Sequence, residues 1–99
     1  MRPEEVPVRL SHLWRWQGDV VVVVSDAHFN LVRLVLNQVG SRVWALMDGT
    51  TTVSAISEAL SLEYPEVSAD ELVAGVSDFL EDLREEWLAM TQEELAAYE

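Results

Sequence analysis

The chain is predicted to be a single α+β domain, with a small three-stranded antiparallel sheet followed by three helices. The period of the apolar residues changes from two to about 3.6 at Asn37, turn residues punctuate both halves, and no composition break divides the chain. At 99 residues one hydrophobic core is the limit, because a chain of this size buries only about 60 to 70% of its unfolded surface.

The elements follow in order. Leu10, His12, Trp14 and Trp16 share one parity, and Ser11, Leu13, Arg15 and Gln17 the other, so a first strand is expected over these residues. Gly18-Asp19 is a two-residue turn, and the run Val20 to Val24 suits a strand buried on both faces. Ser25 to His28 forms a second turn, and Phe29 to Leu36 a third strand whose clearest part is Val32 to Leu36. Asn37 is a good N-cap for a helix with Val39, Val43, Leu46 and Met47 on its inner face, stopped by Asp48-Gly49. Gly40 in its first turn costs about 1 kcal/mol relative to Ala, which suggests a second backbone packed against it. Thr52 caps a second helix that turns in Val53, Ile56 and Leu60 and ends near Glu63-Tyr64-Pro65. Ser68 and Glu71 make a capping box for a third helix marked by Leu72, Val76, Phe79, Leu80, Leu83 and Trp87. Thr91 and Glu94 repeat the box for a short C-terminal helix; residues 1–9 and 91–99 are expected to fray.

Composition excludes much chemistry. Without Cys there is no disulfide, thiolate metal site or thiol nucleophile. His12 and His28 have no Asp or Glu at ligand spacing and read as satisfied or exposed. Glu81, Asp82, Glu85 and Glu86 read as a solvated helix face, not an acid–base pair. No phosphate loop or nucleophile elbow is present, so neither catalysis, a metal nor a cofactor is expected. The apolar runs are too short to span a bilayer and the N-terminus lacks a secretory h-region, so the chain is expected to be cytoplasmic and off the membrane.

The net charge of −12 is unevenly placed. Arg2, Arg9, Arg15, Arg33 and Arg42 balance Glu4, Glu5, Asp19, Asp26 and Asp48, whereas beyond residue 49 only Arg84 opposes the remaining carboxylates. Such a field repels nucleic acid, which needs clustered Lys and Arg. Of the four Trp, Trp44 and Trp87 extend apolar helix faces and are expected in the core. Trp14 and Trp16 either cover the sheet or form an exposed docking patch.

Three segments, LVLNQVGSRVWALMDG (34–49), TTVSAISEAL (51–60) and VSDFLEDLREEWL (76–88), resemble in order and spacing the strand-to-helix junction, second helix and third helix of the PqqD family. That family belongs to the wider class of precursor-peptide recognition elements of ribosomally made, post-translationally modified peptides. The resemblance implies a winged-helix-like fold without enzymatic activity that binds a leader peptide and presents it to a modifying enzyme, most commonly a radical SAM enzyme. It also implies that the leader adds as a strand along Val32, Arg33, Leu34, Val35 and Leu36 and packs against the third helix. There Val73, Val76, Leu80 and Leu83 would line apolar pockets, Asp78 and Glu81 would favour basic leader residues, and Arg33 and Arg84 acidic ones. Where the family usually has Gly this chain has Trp87, so the third helix is expected to run on. An open edge strand and exposed Trp could also pair two copies as a homodimer. Two alternatives stand beside this reading. A winged-helix DNA-binding regulator is disfavoured by the acidic third helix, and a protein adaptor would dock through Trp14 and Trp16 without a peptide groove.

Overall fold

A computed structural model describes residues 1–10, 13–25 and 32–98. The elements are β1 (Pro7–Arg9), β2 (Trp14–Gln17), β3 (Val20–Ser25), β4 (Val32–Val35), α1 (Gln38–Leu46), α2 (Val53–Glu63), α3 (Ala69–Glu85), β5 (Ala89–Thr91) and α4 (Gln92–Ala97). The predicted α+β class holds: β2, β3 and β4 form an antiparallel sheet in that order, and the helices follow. His12, His28, the second turn beyond Ser25 and the start of the third strand at Phe29 lie outside the described residues.

Local signals explain most element boundaries. Asn37, Thr52, Ser68 and Thr91 each take extended backbone and accept a bond from the helix N–H three residues on, so every helix begins at its expected cap. Gly18 has φ +65°, the left-handed backbone that the β2–β3 turn requires. In the sheet, Val21 and Val23 face the helices and are fully buried with Val43, Trp44, Met47, Val53, Ile56, Leu60 and Leu80. Buried Ser41 ties α1 to β3, because its Oγ accepts from the Val21 N–H at 2.7 Å.

Three expectations are corrected. Of the first strand expected over Leu10 to Gln17, Trp14–Gln17 forms β2, and a further strand, β1, precedes it. Only β2 joins the sheet, while β1 pairs antiparallel with β5, Pro7 opposite Thr91 and Arg9 opposite Ala89. Residues 7–9 and Thr91, expected to fray, therefore make a two-stranded ribbon, and Thr91 caps α4 with a full box. Second, the atoms nearest the place of a Cβ on Gly40 are side chain, from Phe79 and Asn37, and not backbone. A Cβ there would come within 2.9 Å of Phe79 Cε1 and 3.0 Å of Asn37 Oδ1.

Third, α3 ends at Glu85, and Trp87 is not core but 65% exposed. Trp87 adopts φ 60°, its N–H donates to the Arg84 carbonyl at 3.1 Å, and the Leu88 N–H donates to the Leu83 carbonyl at 2.9 Å. These two bonds are the left-handed helix stop usually made by Gly. The stop turns the chain so that Leu88 enters the core and β5 meets β1. A left-handed non-Gly residue costs roughly 1–2 kcal/mol, so Trp87→Gly is expected to raise the urea midpoint by about 1 kcal/mol equivalent with an unchanged m-value. A lower midpoint would show that the indole contributes packing larger than its strain.

Candidate functional site

Among the described residues β4 pairs with β3 alone and is the edge of the sheet. The register decides which of its groups are unused. The Leu36 N–H donates to the Val21 carbonyl at 2.9 Å, and Leu34 stands opposite Val23 and Val32 opposite Ser25. Antiparallel ladders alternate, so the N–H and C=O of Arg33 and Val35 point away from β3, toward the open edge. Side chains alternate too: Leu34 is half-buried on the helix side with Leu36 buried beyond it, whereas Arg33 and Val35 are exposed on the outer face.

At the C-terminal end of β4 an apolar pocket of about 190 Å³ opens between the start of α1 and α3. Asn37, Val39 and Gly40 form one wall, Leu72, Gly75, Val76 and Phe79 the other, with Glu71 at the rim. Gly40 lets the Phe79 ring lie against α1, which shapes the pocket. Nothing lies within 4 Å of the place a Cβ would take on Gly75, so packing inside the domain does not call for glycine there. Gly75 was visible in the sequence as a helix-interior glycine four residues from both Glu71 and Phe79, but apolar spacing alone passed over it.

The helix period sorts the predicted α3 residues into three groups. Val76, Leu80 and Leu83 are buried in the core; of these, Val76 reaches the pocket. Asp78 is exposed on the side that carries Glu71, Gly75 and Asp82, next to the pocket. Val73, Glu81 and Arg84 lie on the opposite flank, half-buried. There Glu81 Oε1 accepts from the Met1 amino group at 2.6 Å and from Arg84 at 3.4 Å, and Arg84 also pairs with Glu94. The bond from the terminal ammonium holds Glu81 below the usual carboxylate range against the opposing pull of burial. Arg84 is raised by its bond to Glu94, and Glu94 is lowered by that bond and by the Thr91 N–H. Asp78 and Glu81, grouped in the sequence reading, are thus separated: one stands beside the pocket, the other fastens the N-terminus to α3.

The two Trp of β2 face the helices. Trp14 meets Trp44 edge-on, with ring centroids 6.0 Å apart and planes at 78°, and the Arg9 guanidinium lies 4.9 Å over Trp14. Trp16, at the sheet margin, is 43% exposed. Among the described residues no three His, Cys, Asp or Glu side chains are grouped to hold a metal ion, and no helix is long and apolar enough to cross a membrane.

Comparison with known proteins places this geometry. The family model of coenzyme PQQ synthesis protein D (PqqD) matches residues 29–88. A solved structure described as TbiB1 in complex with the TbiA(beta) leader peptide is similar, with a TM-score of 0.67 and 26% sequence identity over 90% of this chain and 94% of that one. The search of curated proteins gave no match.

Proposed function

The chain belongs to the PqqD family, and from that premise we propose that it is a non-catalytic carrier of a ribosomally made precursor peptide, which it captures by strand addition and hands to a modifying enzyme. The observation that carries this reading is the open edge of β4, where the backbone groups of Arg33 and Val35 face outward beside the apolar pocket of α1 and α3. A leader segment laid along that edge gains main-chain hydrogen bonds with little demand on its sequence, and the pocket supplies selectivity. Two or three apolar leader side chains, each contributing roughly 1.5–3 kcal/mol when buried, bring micromolar binding within reach.

Val32 to Leu36 form the binding strand in this reading, and Val76 meets an apolar leader residue in the pocket. Leu80 and Leu83 support α3 from the core behind it. Asp78, beside the pocket, favours a basic leader residue, Arg33 contributes its backbone while its side chain lies across the outer face to Gln17, and Glu81 and Arg84 hold α3 in place from the far flank, where Val73 also lies. A radical SAM enzyme in the cytoplasm fits the family's usual setting. The likeness to TbiB1, described in complex with a leader peptide, supports a leader peptide as the ligand.

The test is an amide NMR titration of the labelled chain with the N-terminal half of the precursor peptide encoded beside it. Saturable shifts at Arg33, Val35, Gly40 and Gly75 with a micromolar or tighter Kd are expected. A soluble, intact leader that moves none of these amides removes the proposal.

A further inference from the structure

The sheet face turned away from the helices has a composition that water does not explain. A sheet with one solvated face normally alternates apolar and polar residues. Here β3 places Val20, Val22 and Val24 outward as well as Val21 and Val23 inward. By register Leu13, Arg15, Arg33 and Val35 join them, and Leu13 and Val35 are 65% and 64% exposed. Leu13, Arg15, Val22, Val24 and Arg33 line a shallow depression on this face. Arg33 donates to Gln17 Oε1 at 3.0 Å, from β4 to β2, so its side chain crosses β3; this accounts for Val22 being only 5% exposed although it faces outward.

The charges on this face are as uneven as the hydrophobicity. Arg2 pairs with Glu4 and Glu5, Arg42 with Glu63 and Arg84 with Glu81 and Glu94, while Arg9 lies over Trp14. Among the described residues Arg15 and Arg33 have no carboxylate partner, in a chain with three acidic residues for every basic one. An acidic protein surface is repelled by most of this molecule and attracted here, which fixes its orientation before contact.

We propose that this outer sheet face docks the modifying enzyme, through an enzyme surface that sets carboxylates among apolar side chains. The identity of the partner rests on the peptide-carrier reading; the chemistry of the face does not. Because the face adjoins β4, an enzyme seated on it would stand beside a leader held at the sheet edge without covering the pocket, which opens on the helix side.

The test uses Leu13→Ser and Arg15→Glu together, both on β2 or its entry and away from the β4 edge. The wild-type and double-variant chains are titrated calorimetrically with the modifying enzyme encoded beside the chain and, separately, with the leader half of the neighbouring precursor. The expected result is at least a tenfold loss of enzyme affinity in the variant, leader affinity within twofold, and a wild-type enzyme affinity that falls with added salt. An unchanged amide spectrum away from β2 and β3 shows that the variant is folded. Equal enzyme affinity in both chains overturns the proposal. So does loss of leader binding in the variant, or a wild-type dimer that the variant dissolves, because the face would then belong to the leader or to a second copy. A wild-type chain that binds leader but not enzyme defeats this inference alone; one that binds neither defeats the carrier reading with it.

Discussion

Val35→Pro is expected to lower leader affinity at least tenfold while the domain stays folded. The Val35 N–H points to the open edge and serves no bond to β3, so removing it deprives an added strand of a donor without breaking the sheet. Proline is tolerated on edge strands for that reason, and its ring also stands where the incoming backbone would lie. Loss of one main-chain bond at roughly 0.5–1.5 kcal/mol, with the steric block added, accounts for the tenfold expectation. Leu34→Pro is the contrasting variant: its N–H faces β3, so the same chemistry one residue earlier should damage the sheet itself. Leader titration and thermal melting of the pair separate the two effects. Val35→Pro binding leader within twofold of the parent chain would mean that strand addition at β4 is not the mode of capture.

Trp44→Ala is expected to destabilise the domain by about 3–5 kcal/mol, against a total that is typically 5–15 kcal/mol for a domain of this size. Trp44 has no exposed surface, and it carries the edge-on contact to Trp14 that joins α1 to β2. Arg9 adds to the same joint, because its Nη1 donates to the Trp44 carbonyl at 3.3 Å while its guanidinium covers Trp14. One atom argues in the other direction. Trp44 Nε1 is buried without a hydrogen-bond partner, so Trp44→Phe removes an unpaired donor together with part of the ring. The phenylalanine variant should therefore lose far less than alanine. Urea unfolding of both variants measures the difference, and an alanine cost below about 1.5 kcal/mol would contradict the packing described.

The frame of the candidate site was legible in the sequence because it rests on local signals. Asn37, Thr52, Ser68 and Thr91 announce helix starts through a side chain that satisfies a nearby N–H, which needs no knowledge of the rest of the fold. The valine run announced β3 in the same way, and the parity of β2 placed Trp14 and Trp16 on one face. What could not be read depends on distant partners. A three-residue strand such as Pro7–Arg9 has too little alternation to register, and its pairing is decided by β5 at the other end of the chain. Trp87 continues the apolar spacing of α3, so periodicity extends the helix through it; the chain instead turns there because Leu88 has a core position to reach. The division of Asp78 from Glu81 depends likewise on where the N-terminus packs, since three residues along a helix can separate a pocket rim from a tertiary ion pair.

The β1–β5 ribbon also bears on the order of events in folding. Its strands come from opposite ends of the chain, so closing them requires most of the intervening segment to be organised first. The hairpin β2–β3 and the helix pair α2–α3 are local by comparison, with far shorter loops to close. Once closed, the ribbon is held by buried Pro7, Leu88, Ala89 and Thr91, so a late step in assembly ties segments from the two ends of the chain into the core.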